Sequence, residues 1–418
     1  MPIPIYVKIA LWTAYLLSLY FAIFWFLVLL DREKKTKARR LRKFPTVTIL
    51  VPAYNEEKNI ESTLNSLAEL DYPKKKLEVI VVNDGSTDNT RHVVKNFSES
   101  HKDCNIRLIS KKNAGKGAAL NDGLKAAQGE YFVCMDADSR ATKDALKILL
   151  RHFTDEKIAA VLPLMKVDRP KNLWQKMQWL EYLVNMFYKR LMSRLNCVHV
   201  APGPFSVYRT GILRKIGGFD EDNLTEDLEI SLRLQSRDYR IVQLLEAEVF
   251  TLAPKTFKEL YKQRTRWYKG SVINALRYRH MFFNRKYGDF GFIQMPTIII
   301  SGFIAVILFS SLAYYGLKPY VKGIYNSFLI DFDFYTLIKT FQYDFNILDI
   351  NYTTILVAVI MLAISIIILK KSHTETKERL KKHGLISLAS YLFFYFLVMG
   401  FIWVGITLNF LFRREHKW

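Results

Sequence analysis

The chain has 418 residues and a formal net charge of +22; half of its residues are hydrophobic, 14% are aromatic and 24% are charged. This length allows more than one domain, and apolar and charged residues must be segregated along it, which predicts membrane-spanning segments beside a soluble domain. The cysteines Cys104, Cys134 and Cys197 are odd in number and lack a Cys-x-x-Cys pair, so they indicate neither a disulfide framework nor a structural zinc site. The excess of basic residues alone is compatible with three kinds of partner: nucleic acid, an anionic membrane surface and an anionic substrate.

The amino-terminal segment has the features of a membrane anchor. Residues 9–30 carry no charge and are numerous enough to cross a bilayer as one helix. No small-residue cleavage site follows, so we expect an anchor that stays on the protein. The basic run at 32–43 comes directly after it and predicts that this side of the membrane is the cytoplasm.

From Thr46 the chain alternates between apolar strands and helical segments. The predicted strands are residues 47–51, 77–82, 105–110 and 131–135. Helices of roughly ten to fifteen residues between such strands are typical of an α/β fold, here with a mostly parallel sheet and helices on both faces.

Carboxylates follow two of these strands. Asp84 comes at the end of the second strand, and Asp136 and Asp138 come at the end of the fourth. Open α/β sheets bind ligands at the carboxyl ends of their strands, and two hard oxygen donors there suit Mg²⁺ or Mn²⁺ held against a diphosphate. An isolated Asp-x-Asp is equally typical of a solvated turn. Neither G-x-x-x-x-G-K-[ST] nor G-x-G-x-x-G is present, which disfavours P-loop ATPases and Rossmann dinucleotide enzymes.

Two later segments carry charge in helical contexts. Thr225-Glu226-Asp227 precedes an apolar helical run, so Thr225 is the predicted N-cap and the helix macrodipole favours the ionised form of Asp227. The simpler alternative is charge complementarity at a helix start. Residues 256–283 mix basic and aromatic residues, which is typical of an amphipathic helix on an anionic leaflet. Single-stranded nucleic acid would also suit that mixture but is disfavoured beside membrane spans.

The carboxyl-terminal third contains three further candidate spans. They lie within residues 292–316, 353–369 and 385–412, which makes four with the anchor. The loop at 371–383 is basic and residues 318–349 are richer in aspartate, so we expect the former on the cytoplasmic side. The predicted division of the chain is an anchor at 1–30, a cytoplasmic domain at 44–255, an interfacial helix region at 256–290 and a membrane region at 291–418.

The motifs in order closely resemble one family. Asp84, the Asp136/Asp138 pair, Thr225-Glu226-Asp227 and Gln263-Arg264-Thr265-Arg266-Trp267 together resemble the processive membrane glycosyltransferases of family 2, which include hyaluronan, chitin, cellulose and poly-N-acetylglucosamine synthases. The resemblance covers about residues 47–270. It implies a GT-A-like nucleotide-sugar-binding domain, an inverting metal-dependent transfer from a UDP-sugar, and Mg²⁺ or Mn²⁺ as the cofactor.

The resemblance also implies roles for individual residues. Asp227, with Glu226 beside it, corresponds to the catalytic base, and Asp138 and Asp136 correspond to the metal motif. The donor nucleotide would contact Pro52, Ala53, Tyr54, Glu56, Asp84, Lys116 and Asp136. The acceptor and the diphosphate would contact Gly203, Pro204, Gln263, Arg266 and Trp267.

These implications give a specific expectation and two alternatives. We expect a multi-pass cell-membrane enzyme that adds N-acetylglucosamine or glucose to a growing β-linked polysaccharide, contacts membrane lipids and binds no nucleic acid. Four spans are fewer than cellulose or hyaluronan synthases use, so a homo-oligomer or an accessory secretion subunit would complete a pore. The alternatives are a non-processive transferase that adds one sugar to a lipid or glycan acceptor, and a non-catalytic transport or regulatory subunit that binds a nucleotide.

Overall fold

The computed structural model describes residues 4–31, 39, 41, 43–329 and 352–412, and the fold is given for those residues. Most of the basic run at 32–43 lies outside them, as do much of the aspartate-rich stretch at 318–349 and the residues after Phe412.

The strands form one mixed sheet. Its members are β1 (Val47–Ala53), β2 (Leu77–Asp84), β3 (Asn105–Lys111), β4 (Tyr131–Cys134), β5 (Arg140–Ala141), β6 (Ile158–Val167), β7 (Ser206–Arg209) and β8 (Arg240–Thr251). Their order across the sheet is β3-β2-β1-β4-β7-β6-β8-β5. The four strands predicted from the sequence are present as β1 to β4 and pair in parallel.

The second half of the sheet departs from the predicted parallel arrangement. β7 runs antiparallel to both of its neighbours, β4 and β6, and β5 runs antiparallel to β8. The chain enters β7 after a long helix and from the opposite end of the sheet, so this strand reverses the direction set by β4. The sheet is therefore mixed, although β1 to β4 are parallel to one another and β6 pairs in parallel with β8.

Helices cover both faces of the sheet. Residues of α2 (Ile60–Ala68), α3 (Thr90–Ser100) and α5 (Ala145–Leu150) pack on one face, and residues of α4 (Lys116–Ala126), α7 (Thr210–Ile216) and α8 (Glu226–Ser236) pack on the other. The other α-helices of the described residues are α1 (Ile5–Leu30), α6 (Leu173–Arg194), α9 (Phe257–Arg277), α10 (Met295–Leu329), α11 (Tyr352–Glu375), α12 (Leu385–Phe393) and α13 (Tyr395–Leu411). Successive side chains of a strand point to opposite faces, so Ile49 and Val51 of β1 join one core and Leu50 joins the other. Strands buried on both faces explain why β1 and β2 are almost continuously apolar.

Three helices are long and apolar enough to cross a membrane within the described residues. They are Ile5–Leu30, Phe290–Tyr325 and Ile355–Glu375, and a fourth crossing is present if the bent pair Leu385–Phe393 and Tyr395–Leu411 is one span. These helices overlap the four spans predicted from the sequence. The bend between the last two helices is 42°.

The chain divides into two compact units. One contains Met1–Asp31, Ile300–Lys370 and Leu392–Trp418, and the other contains Arg32–Ile299 together with Lys371–Tyr391. The residues predicted as a separate interfacial region at 256–290 therefore belong to the same unit as the sheet. The basic loop predicted at 371–383 belongs to that unit as well.

Lys166 attaches the 371–391 segment to the sheet. This β6 lysine is nearly inaccessible to solvent, and its Nζ lies 2.7 Å from Glu248 Oε1 and 3.0 Å from Glu378 Oε1. It also donates to the Thr376 carbonyl oxygen at 3.2 Å. Because the cation is buried, the two carboxylates and the carbonyl compensate for the hydration that it loses.

We expect Lys166→Met to lower the free energy of unfolding of this unit by about 3 kcal/mol, since two carboxylates would lose a buried cation. The measurement is the unfolding midpoint of the detergent-solubilised chain. Lys157→Met removes an exposed pair with Asp238 and is the matched control, which should leave the midpoint unchanged. Equal unfolding midpoints for the two variants would contradict the prediction that the buried Lys166 contacts stabilise this unit.

Candidate active site

A first cavity lies where the adjacent strands β2, β1 and β4 end. It has a volume of about 240 Å³ and is lined by Pro52, Ala53, Tyr54, Glu56, Asp84, Lys116, Ala119, Asp136, Ala137 and Asp138. The parallel register of these strands explains the assembly, because Ala53 pairs with Asn83 and Leu50 pairs with Cys134. We call it the donor cavity, since every residue assigned from the sequence to the donor nucleotide or the metal lines it.

Asp84 is bound by the loop that precedes α4. Its two carboxylate oxygens accept hydrogen bonds from the backbone N–H groups of Ala114 and Gly115 at 3.0 and 2.8 Å. Gly115 has a φ of 91°, a conformation that side chains other than glycine rarely adopt. Lys116 is the first residue of α4, so Asp84 fixes the loop that places this lysine in the cavity.

The Pro52 to Glu56 segment is held by Thr87 and by Thr90, the first residue of α3. The Glu56 N–H donates to Thr90 Oγ1 at 2.8 Å, and Asn55 Oδ1 accepts from the Thr87 N–H at 2.8 Å. Burial raises the pKa of the Glu56 carboxyl, the Asn59 hydrogen bond lowers it, and the charge of Asp136 adds to the rise.

Asp136 and Asp138 have the chemistry of a divalent-cation site. Burial and the adjacent Asp136 carboxylate raise the pKa of Asp138 to about 6, while a hydrogen bond from the Ser139 hydroxyl opposes the rise. Burial and the charge of Asp136 both disfavour the ionised form of Asp138, and a bound divalent cation would stabilise that form. Paired carboxylate oxygens are ligands that Mg²⁺ and Mn²⁺ accept, so these residues fit the predicted metal.

Lys116 connects the donor cavity to a second cavity. Its Nζ lies 2.7 Å from Asp136 Oδ1 and 3.1 Å from Glu226 Oε1. Burial acts to lower the pKa of the Lys116 ammonium, but the charges of Asp136, Glu226 and Asp227 raise it well above its usual range. The lysine is therefore positively charged at every physiological pH and lies between the two groups of carboxylates.

The second cavity has a volume of about 170 Å³. Its lining is Lys116, Asp136, Asp138, Met165, Tyr182, Pro202, Gly203, Pro204, Leu224, Thr225, Glu226, Asp227, Thr251, Leu252, Gln263, Arg266 and Trp267. We call it the acceptor cavity, because it contains every residue assigned from the sequence to the acceptor or the catalytic base. Lys116, Asp136 and Asp138 line both cavities.

The helix start around Asp227 differs from the sequence-based prediction. Thr225 occupies the N-cap position of α8, but its side chain makes no capping hydrogen bond. Its Oγ1 instead accepts from Asn274 Nδ2 of α9 at 3.0 Å. Burial and the Glu226 carboxylate raise the pKa of Asp227 to about 6, against the lowering effects of Lys116, Arg266 and Lys189. The helix N-terminus therefore does not keep Asp227 as acidic as an ordinary aspartate.

Two glycines allow the close approaches that build the acceptor cavity. A Cβ on Gly203 would come within 2.5 Å of Asp136 Oδ1, and a Cβ on Gly270 would come within 2.4 Å of Thr225 Oγ1. Both distances are shorter than side chains tolerate. Gly203 thus brings the Pro202 to Pro204 loop against the metal motif, and Gly270 brings α9 against the start of α8.

The structure corrects one assignment on α9 and adds residues that the sequence did not indicate. Arg264, one of the basic residues of the predicted amphipathic helix, is fully buried, whereas Arg266 is exposed in the acceptor cavity. Met165, Tyr182, Thr251 and Leu252 also line this cavity. They come from β6, α6, the end of β8 and the residue that follows it, and they carry no motif. Glu181, an acidic residue within the apolar stripe of α6 and next to Tyr182, is a sequence signal that could have indicated this part of the cavity.

Comparisons with known proteins agree with this geometry. The family model described as glycosyl transferase family 2 matches residues 48–217. Residues 48–217 therefore resemble a glycosyltransferase family 2 domain. That segment includes Asp84, Asp136, Asp138 and Gly203, whereas Asp227 and the α9 residues lie beyond its end. The recognition of this enzyme class from the sequence motifs is confirmed.

Two proteins are similar in sequence to part of this chain. The poly-beta-1,6-N-acetyl-D-glucosamine synthases of Staphylococcus epidermidis and Staphylococcus aureus are 33% and 34% identical over 234 residues. These residues are 55% of this chain and 56% of each relative. The match thus spans little more than half of their length.

A solved structure supports the fold of the family 2 domain. The mannosyltransferase of Pyrobaculum calidifontis in complex with GDP-Man and Mn²⁺ aligns with a TM-score of 0.61 at 20% identity, covering 98% of both chains. The predicted GT-A-like fold class is confirmed.

The raised pKa of Asp227 predicts a pH dependence. Only the deprotonated carboxylate accepts a proton, so kcat should fall as the pH decreases through about 6, well above the range of an ordinary aspartate. The assay uses saturating donor and Mn²⁺, because bound metal keeps Asp138 ionised. The decrease of kcat at low pH then reflects protonation of Asp227. The affinity for UDP under the same conditions is the control and should not change. A kcat that stays constant down to about pH 5 would contradict this assignment.

Proposed function

We propose that this chain is an inverting glycosyltransferase that moves a sugar from a UDP-sugar to the hydroxyl of a growing β-linked glycan. The observation that carries the proposal is the junction of two cavities at Lys116, Asp136 and Asp138, with Asp227 in the second cavity only. Donor and acceptor would thus bind on opposite sides of one group of charged residues. This arrangement suits a direct displacement at the donor's anomeric carbon.

The bond changes follow from that placement. The acceptor hydroxyl oxygen attacks the anomeric carbon and forms the new glycosidic bond, while its proton passes to the Asp227 carboxylate. The bond between the anomeric carbon and the diphosphate oxygen breaks, and UDP leaves with the electron pair. Arg266 and Lys116 stabilise the negative charge that develops on the diphosphate. Asp227 later returns its proton to solvent.

Asp138 and Asp136 would hold the divalent cation beside the donor. When bound, Mg²⁺ or Mn²⁺ supplies electrostatic stabilisation to the leaving diphosphate. The protein side of this arrangement is the placement of both carboxylates at the end of β4, with Lys116 neutralising Asp136 from the other side.

The acceptor cavity supports a glycan as the second substrate. Trp267 offers an aromatic face to a sugar ring, and the side-chain amide of Gln263 can hydrogen-bond its hydroxyls. N-acetylglucosamine is the preferred donor sugar in this proposal, because both staphylococcal relatives are named as poly-N-acetylglucosamine synthases. Repeated addition, rather than a single transfer, rests on the Gln263 to Trp267 motif and these relatives.

The long apolar helices support a multi-pass membrane protein. In the proposed topology the catalytic domain is cytoplasmic, since basic loops lie on the cytoplasmic side and the basic 371–383 loop belongs to the same compact unit as the sheet.

The test is UDP release by the detergent-solubilised chain with Mn²⁺ and a panel of UDP-sugars, with product size measured on the same samples. We expect release with UDP-N-acetylglucosamine because the donor and acceptor cavities adjoin. A ladder or a long polymer is expected from the Gln263 to Trp267 motif and the named relatives. Release with a single addition would favour the non-processive alternative. No release across the panel, while UDP still binds, would contradict the proposal and favour a non-catalytic nucleotide-binding role.

A further inference from the structure

A buried ion pair lies beneath the acceptor cavity. Arg264, in the middle of α9, has 0% of its surface exposed, and its guanidinium pairs with the buried Glu181 of α6. Removing two charges from water is costly, and apolar residues of similar volume often replace such pairs without loss of stability. Packing of α6 against α9 therefore does not by itself require this pair.

The same guanidinium contacts three side chains of the acceptor cavity. Its Cζ lies 4.2 Å from the ring centroid of Trp267 and 5.9 Å from that of Tyr182. Its NH1 group donates to Gln263 Oε1 at 2.9 Å. Trp267, Tyr182 and Gln263 all line the acceptor cavity, whereas Arg264 does not.

The geometry of arginine suits this position. A planar guanidinium can donate to a carboxylate and an amide at its edge while its face lies on an aromatic ring, and the compact ammonium of lysine cannot make all of these contacts at once. A cation over an aromatic face is also attractive, and more so when it is shielded from water. Glu181 in turn restricts the orientation of the guanidinium by pairing with it from the neighbouring helix.

We propose that Arg264, oriented by Glu181, is a positioning residue that sets the ring plane of Trp267 and the amide of Gln263 for binding the acceptor sugar. The proposal rests on the proposed function and deepens it, since it assigns acceptor recognition to a pair that touches neither substrate. Loss of the pair should therefore change acceptor binding and product length and leave donor binding intact.

The experiment uses the full chain in detergent, with UDP-N-acetylglucosamine as donor and a β-1,6-linked N-acetylglucosamine tetramer as acceptor. The variants are Arg264→Lys, which keeps the charge, and the double variant Glu181→Met with Arg264→Met, which removes both charges and leaves none unpaired. Arg277→Lys is the matched control, because Arg277 lies on the same helix and pairs with Asp220 at an exposed position. The readouts are the KM for the tetramer, the KM for the donor, the affinity for UDP, the product length and the thermal midpoint.

We expect both test variants to raise the KM for the tetramer by about fivefold or more and to shorten the products, with donor KM and UDP affinity within about twofold of wild type. The control should match wild type in every readout. A merely structural pair would lower the thermal midpoint and leave the KM for the tetramer unchanged, which would overturn the proposal. Equal damage to donor and acceptor binding would overturn it as well. If the wild-type chain transfers no sugar from any donor, the proposed function itself fails, and that outcome is distinct from the other two.

Discussion

The contact of Lys116 with Asp136 and Glu226 is the interaction on which the rest of the site depends. One ammonium group lies within 3.1 Å of a carboxylate from the metal motif and a carboxylate beside the proposed base. Without that cation, four acidic side chains, Asp136, Asp138, Glu226 and Asp227, would surround the junction of the two cavities, and Arg266 and Lys189 would be left to compensate Asp227. Buried like charges of this kind are unfavourable unless a cation compensates them. Lys116 therefore allows the donor and acceptor cavities to adjoin.

The position of Lys116 is itself a consequence of the parallel half of the sheet. β2 ends at Asp84, whose carboxylate binds the loop before α4, and that loop places Lys116 opposite the end of β4. The acceptor side is assembled differently. Gly203 and Gly270 permit two close approaches that bring the loop before β7 and the helix α9 against the strand ends. The chemistry thus depends on a regular sheet edge for the donor and on short-range packing of helices for the acceptor.

This difference explains how much could be predicted from the sequence. Strands β1 to β4, and the carboxylates at their ends, follow from apolar runs and from the general behaviour of parallel sheets. The antiparallel entry of β7 could not be predicted, because strand direction depends on where α6 ends in space. Tyr182 and Arg264 were missed for a related reason. Both lie in helices whose apolar periodicity indicates packing alone. Only the contact between α6 and α9 shows that Tyr182 lines the acceptor cavity and that Arg264 contacts Tyr182 from outside that lining.

The central claim is that Asp227 acts as the base in one cavity while UDP and the metal bind in the other. The most direct test is Asp227→Asn, with transfer and UDP binding in the presence of Mn²⁺ measured on the same preparation. The account predicts a loss of transfer of about a hundredfold or more with an unchanged affinity for UDP, because only proton acceptance is removed. Asp222→Asn, on the exposed loop before α8, is the matched control and should keep full activity. Loss of UDP binding in Asp227→Asn, or transfer at the wild-type rate, would contradict the account.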